Sequence, residues 1–486
     1  MKIIKNIILF LSIVSCAISL KAQDRNSAWV HGLFEDGDIW QAYDDIFRIE
    51  REMNGTRPVG TNVDYNNFLG NGIEAAANNA AGDITTAFAT NPIPSVNSSR
   101  NLGIGHSLGG IVLREIDQDE TNSGTTNRRV NGIITVGSPN YGAGIMNSIA
   151  NGNANLVIQN GCQSLAAGPS SSLLPYPILF NGIATNQLCD LFMDDVIENM
   201  LGFPQGWLTT AHTDLQLTSS YFNDVPSNPN DIGLSHFNSS LPRISVWGNE
   251  NSPTHWRLAS SFLTMDAGLN NDVHSDDFVV HRVNQAMGFY HLMHQYYTAV
   301  GIFSIGLGFT NPYSWLAVPS NFYRASQWRR GYNWLYHSET TWNALTICQG
   351  TYTLTYTIAD NPVQNYCNGY MFGTQQWWNC VSHQCGCVPY DYTCLTNCTS
   401  GTRTYSETVM VNHPSDGLVC SYSQILDDIP QNNIYMAEGV NHRDETDTRD
   451  MQNQAGPNGQ GADVMRDIFN DLWNRPLGDF FKTEPR

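Results

Sequence analysis

Short apolar runs alternate along this chain with polar, turn-rich stretches, and their order predicts its elements. Ala28-Trp29-Val30 is an apolar run ending on His31-Gly32-Leu33, which suits a strand that stops at a turn. Residues 62–90, rich in alanine and asparagine with few breakers, suit a helix. Leu102-Gly103-Ile104 is a second short strand. It runs into Gly105-His106-Ser107-Leu108-Gly109-Gly110 and then into Ile111-Val112-Leu113-Arg114, which suits a helix. Gly132 to Val136 forms a third strand that closes on Gly137-Ser138-Pro139. Strand, helix, strand in this rhythm implies a parallel sheet with helices on its faces, an α/β class.

Further along, the pattern loosens. Residues 146–240 are rich in asparagine, serine and proline and read as a loop-rich insertion on the functional edge of the sheet, able to act as a lid or cap. Arg243 to Trp247 is another strand, followed by helical patterns over Phe278 to Val300 and Phe322 to Leu345. Residues 251–400 thus form a second insertion, helical and then cysteine-rich. Thr404 to Val411 reads as a late strand ending at His413-Pro414-Ser415-Asp416, and Val464 to Trp473 as a closing helix.

The ends and the charge restrict where such a chain works. Lys2 and Lys5 precede the apolar run Ile7 to Val14, and small or polar residues lead to Ala22. Residues 1–22 are therefore expected to be a secretory signal peptide, leaving 23–486 as the secreted or periplasmic domain. The alternative is a lipobox at Ile13-Val14-Ser15-Cys16 that would anchor Cys16 to lipid. No other run reaches the roughly 20 apolar residues of a membrane span. The longest, Ala299 to Phe309, is broken by glycines and reads as a buried segment or the apolar wall of a binding site. With 44 acidic and 24 basic residues, the net charge of −20 argues against nucleic acid or an anionic membrane as partner.

Of the 11 cysteines Cys16 leaves with the leader, and the even remainder in an exported chain implies disulfides. Most crowd between Cys348 and Cys420, with zinc as the rival reading. Cys162 and Cys189 stand apart and are expected to pair.

Gly105-His106-Ser107-Leu108-Gly109 fits the pattern G-x-S-x-G. A serine on a tight strand-to-helix turn needs neighbours without bulk two residues away, and the turn lifts its hydroxyl above the sheet. Ser107 is the candidate nucleophile. Two backbone N–H groups should face the developing oxyanion: that of Leu108, directly after the serine, and that of Leu33, in the His31-Gly32-Leu33 turn. His31 is read as ordering this turn. A serine hydroxyl further needs a histidine to take its proton and a carboxylate to steady the imidazolium. The order serine, acid, histidine is satisfied by Asp416, at the end of a late strand, and His442, in the loop before the last helix. Glu250, after the strand that ends near Trp247, is a rival acid. His291 and His294 share one helix face, where packing is the simpler reading than metal.

Five blocks carry a resemblance: Val30-His31-Gly32-Leu33, Gly105 to Gly110, Gly137-Ser138-Pro139-Asn140-Tyr141-Gly142-Ala143, Ser415-Asp416-Gly417-Leu418-Val419 and Asn441-His442-Arg443-Asp444-Glu445. In their order they resemble bacterial true lipases of the Pseudomonas and Burkholderia type, and the inositol-deacylase-like hydrolases with a similar core. The resemblance implies an α/β-hydrolase fold with Ser107, Asp416 and His442 as catalytic triad and Leu33 and Leu108 as oxyanion donors. It implies no organic cofactor. Asp444, two residues past the histidine, matches a calcium ligand of those lipases; the other reading makes Asp444, Glu445, Asp447 and Asp450 a solvated acidic turn.

The blocks cover about a third of the chain, and neither insertion has a counterpart. The expected activity is hydrolysis of carboxylic esters, soluble or at a lipid–water interface. The alternatives are an amidase, transacylase or phospholipase-like deacylase on the same residues, or a non-catalytic surface protein on the same scaffold. The aromatics of the insertions, Trp207, Trp315 and Trp328 among them, could line a lipid or polymer cleft or fill a core.

Overall fold

The computed structural model describes residues 26–33, 35, 37–40, 65–90, 100–171, 210–217, 219, 221–222, 241–266, 277–360, 367, 374–391, 394, 401–426, 429–443, 445–446 and scattered positions from 468 to 482. The expected signal peptide, Asp444, Cys189, Trp207 and much of the proposed lid lie outside these residues.

Seven strands are described: β1 Ser27–Val30, β2 Leu102–His106, β3 Gly132–Val136, β4 Arg243–Asn249, β5 Gln349–Asp360, β6 Gly401–Asn412 and β7 Ile434–Glu438. The chain divides into two compact units, residues 1–348 with 413–486, and Gln349–Asn412.

In the larger unit β1-β2-β3-β4-β7 form one sheet in that order, parallel at every pairing. Its inner strands β2 and β3 are buried at every position. That is why they read as continuous apolar and glycine runs: a parallel sheet covered on both faces has no polar side to alternate with. Leu108, Ile111 and Val112 of the helix after β2 join one apolar layer. Trp29, Ile104, Ile134 and Val246 join another with Ile468 and Leu472 near the chain end.

The helices that matter to the site are α1 Ile73–Thr90, α2 Leu108–Asn122, α3 Gly144–Ala150, α4 Asn153–Ser171, α5 Thr254–Asp266, α6 Asp277–Gly308, α7 Ala317–Tyr336 and α8 Ser338–Leu345. α1 packs on α2, and α6 and α7 form a long helical hairpin against α4. Glycines permit that approach. A Cβ on Gly161 or Gly168 of α4 would overlap Trp334 or Trp328 of α7.

Three expectations change here. Residues 146–240 are not loop throughout: α4 is helical despite its asparagines, serines and Pro169, because Ile158 and Leu165 bury against the hairpin and packing overrides weak propensity. Thr404 to Val411 is a strand, but outside the main sheet. It pairs antiparallel with β5, and the sheet is completed by β7, inside a stretch read as polar loop. Ala299 to Phe309 is not buried, for Ile302, Phe303 and Phe309 are 60%, 66% and 80% exposed.

The smaller unit contains the β5–β6 ribbon and a helix over Gln375–Cys385, with Trp377, Trp378 and Val381 packed against cysteines. Disulfides join Cys367 to Cys380 and Cys387 to Cys394, and in the larger unit Cys348 to Cys420. These bonds replace the zinc alternative. Cys162 is also disulfide-bonded.

Candidate active site

The sequence Gly105 to Gly110 explains its own geometry. Ser107 stands between the last residue of β2 and the first of α2, at φ 50° and ψ −124°. This is a region that side chains rarely adopt, and holding it costs roughly 1–3 kcal/mol. Its N–H donates to the Val136 carbonyl of the next strand at 2.9 Å, which fixes the turn to the sheet. A Cβ on Gly105 would lie 2.5 Å from the Gly109 backbone, and one on Gly109 would run into the Val30 and His31 carbonyl oxygens. Both glycines are required by backbone contact, one within the turn and one against the end of β1.

Asp416 sits on a different support from the one expected. It follows β6, but lies in a tight turn closed by the Ser415–Cys420 bridge rather than at a strand end of the main sheet. The Leu418 and Val419 N–H groups donate to its Oδ1 at 2.9 and 2.7 Å. The turn is pinned from several sides. The Cys348–Cys420 disulfide closes its base, and the Trp342 indole of α8 donates to the Gly417 carbonyl at 2.6 Å. Gln424 donates through Nε2 to the Val419 carbonyl and accepts from the Gly248 N–H of β4. Asn140, in the turn after β3, donates to the Gln424 carbonyl at 2.6 Å and is held in turn by Arg114 of α2.

His442 follows β7, and its N–H donates to the Asp416 carbonyl at 2.8 Å. Its ring spans the two other residues: Nδ1 lies 2.7 Å from Asp416 Oδ2 and Nε2 lies 2.9 Å from Ser107 Oγ. Asp416 and His442 are buried. The structure therefore brings together Ser107, Asp416 and His442, the three residues that the resemblance implied. The rival Glu250 adjoins the site but its carboxylate is engaged otherwise, with Oε1 accepting from Arg257 Nε and the Asn251 N–H, both at 2.6 Å, while its own N–H donates to the Ser415 carbonyl at 2.8 Å.

The two oxyanion candidates flank the serine. Leu108 opens α2, so its N–H belongs to the first turn, which the helix itself leaves without partners. Leu33 lies in the turn after β1, and a Cβ on Gly32 would sit 3.0 Å from Ser107 Cβ, so this backbone lies against the serine. His31 stacks on Tyr65 with centroids 4.4 Å apart, and the Tyr65 hydroxyl donates to the His31 and Gly32 carbonyls. That is the ordering role expected of it.

Behind this layer lies a charged cluster that the sequence reading missed. Glu35 Oε2 accepts from the Gly32 N–H at 2.7 Å and pairs with His106 Nδ1 at 2.9 Å. His106 Nε2 donates to the His442 carbonyl at 2.8 Å, and Glu445 Oε2 lies 3.4 Å from the same nitrogen. Burial pushes the Glu35 carboxyl up, but the His106 charge and hydrogen bond, with help from His442 and His31, prevail and hold it at about 2. Burial would lower His106, yet Glu35 and then Glu445 raise it to about 10, so it stands as an imidazolium.

Glu445 corrects the solvated-turn alternative. It is fully buried against Gly137 and Gly248, and burial, joined by the Asp416 charge, raises its carboxyl to about 7. Its spacing three residues after His442 was visible; nothing in the sequence placed Glu35 beside His106. His106, His442 and Glu445 offer ligand atoms within 4.8 Å of one another, but the histidine nitrogens are already engaged by Glu35, Asp416, Ser107 and a carbonyl, so a metal does not fit. His291 and His294 keep to packing: His294 Nδ1 meets the Ala325 carbonyl, and His291 meets Gln295.

Compared with models of known protein families and with curated proteins, the chain matches none.

Proposed function

We propose that this chain is a serine hydrolase of the α/β-hydrolase fold that cleaves carboxylic esters through an acyl-enzyme. The observation that carries the reading is the continuous Ser107–His442–Asp416 contact, 2.9 and 2.7 Å, built on a strained strand-to-helix turn. A structural serine has no need of such a turn, and the strain is characteristic of a functional position.

In the proposed mechanism Ser107 Oγ attacks the ester carbonyl carbon while its proton passes to His442 Nε2. Asp416 keeps Nδ1 protonated and stabilises the imidazolium. The former carbonyl oxygen, now an oxyanion, turns to the Leu33 and Leu108 N–H groups and to the N-terminus of α2. Collapse expels the alcohol, which takes the proton from Nε2. Water then repeats the sequence on the acyl-enzyme, and the acid and Ser107 are released.

The test is a panel of nitrophenyl esters of increasing chain length, run beside anilide and phospholipid substrates. Wild-type protein should turn over esters fastest, and Ser107→Ala should reduce kcat/KM by about 10⁴-fold or more. Asp416→Asn should reduce it by about 10³–10⁴-fold. Absence of ester turnover by folded protein would contradict the reading, and faster anilide or phospholipid cleavage would redirect it to an amidase or deacylase.

A further inference from the structure

The α6–α7 hairpin changes character along its length. Over its first two-thirds α6 buries Val279, Val283, Ala286, Tyr290, Met293 and Tyr297, mostly large side chains at the spacing of an ordinary amphipathic helix facing a core. Beyond Tyr297 the same stripe continues as Gly301, Ser304 and Gly308, all buried, while Ile302, Phe303, Leu307 and Phe309 point outward. Small residues lie between the helices and large apolar ones face away. Gly301 abuts Phe322 and Gly308 abuts Trp315. This inverts the rule for a helix in water and matches helix packing in lipid, where close backbones sit inside and apolar bulk faces out.

The charge pattern agrees. No aspartate, glutamate, lysine or arginine occurs between Arg282 and Arg324, in a chain that is otherwise strongly acidic. Across the whole hairpin Asp277 is the one acid, against Arg282, Arg324, Arg329 and Arg330. The arginines of α7 lie back from the tip: Arg324 stands 5.8 Å over the Tyr297 ring, where the stripe changes, and Arg329 and Arg330 are exposed. Tyr313, 81% exposed, and Trp315, 45% exposed, add the amphipathic rings that favour a membrane interface. From Ala299 to Phe309 the apolar segment rises about 15 Å, the hydrocarbon depth of one leaflet. No helix among the described residues is long and apolar enough to cross a membrane.

We propose that the tip of the α6–α7 hairpin anchors this protein on a phospholipid surface, inserting Phe303, Phe309 and Leu316 into one leaflet with Arg324, Arg329 and Arg330 at the phosphates. The net charge that repels the rest of the protein from an anionic bilayer makes this one oppositely charged element the contact. The anchor is independent of the hydrolase reading.

The test is cosedimentation with phosphatidylcholine vesicles containing a minor share of phosphatidylglycerol. The Ser107→Ala protein is used, so that binding is read without hydrolysis. It should bind, Phe303→Asp with Phe309→Asp should weaken binding by about tenfold or more, and Arg324→Gln with Arg329→Gln and Arg330→Gln should remove its salt dependence. In the otherwise wild-type chain the Phe substitutions should leave turnover of a short soluble ester unchanged, which shows that the fold survives. Failure of the Ser107→Ala protein to bind vesicles, or equal binding by the Phe variants, would overturn the anchor. So would a dimer in solution that the Phe substitutions convert to monomer without any vesicle binding, since a second copy would then be the occupant. Loss of ester turnover in all proteins with vesicle binding intact would instead count against the hydrolase alone.

Discussion

Glu35 touches no reacting atom, yet its carboxylate holds the Gly32 N–H next to the proposed Leu33 donor and fixes His106, whose other nitrogen grips the backbone of His442. One imidazolium thus ties the turn of the proposed oxyanion donor to the proposed base. In Glu35→Gln the amide oxygen can still accept one of these bonds but the charge is gone, so kcat on esters should fall about tenfold with KM little changed. Glu35→Ala should cost about 10²-fold, near the value of a lost oxyanion donor. Steady-state kinetics across pH separate this from mere destabilisation; an unaltered kcat in both variants would reject the positioning role. Ser107 and its glycines were legible because backbone contact dictates G-x-S-x-G. Glu35 was not, because an acid in a loop carries no periodicity, and only the fold brings it to a histidine 71 residues away.

The elements that hold Asp416 lie outside the sheet. Its turn depends on the Cys348–Cys420 disulfide, which spans 72 residues, and on Trp342 and Gln424. Cys420→Ser should lower stability by about 2–4 kcal/mol in denaturant melts and reduce ester turnover more than binding, since the turn that orients Asp416 is loosened. Equal melting midpoints for variant and wild type would show that the bond is not a support. Gly109→Ala should be worse than an ordinary helix substitution, because the new methyl meets the Val30 and His31 carbonyls and neither backbone can withdraw; loss of the cooperative transition is expected. Strands β1 to β4 were legible from short apolar runs bounded by glycine and proline. β7 was not, since Ile434–Glu438 buries only Ala437 and lacks a continuous apolar run, and β6 misled because a ribbon strand has the same local pattern as a sheet strand. Helix α4 escaped because its stability comes from the hairpin it packs on rather than from its own residues.

For the molecule as a whole, the buried Glu35–His106 pair links stability to pH. Glu35 is lowered on folding to about 2, so its contribution is complete above about pH 4.5 and is lost as pH falls toward 2. His106 is raised to about 10, so its contribution is complete below about pH 6.5 and fades as pH rises toward 10. The pair supports the fold most between about pH 4.5 and 6.5, and denaturant melts of wild type should lose stability on both sides of that window. Glu35→Gln should make the alkaline side shallower, because its His106 then has only Glu445 beside it to favour the charged form; an unchanged slope would contradict the assignment. At this scale the α/β class was readable from the rhythm of strand and helix, whereas the hairpin was not, since Ala299–Phe309 has the composition of a core segment and only its surroundings reveal that it faces outward. If Ser107 is an activated nucleophile, a fluorophosphonate should modify it, and peptide mass analysis of the reacted protein locates the adduct. A single adduct is expected on the peptide containing Ser107, absent in Ser107→Ala and slowed by about 10³-fold or more in His442→Ala. Folded wild-type protein that stays unmodified, or an adduct on any other serine, would contradict it.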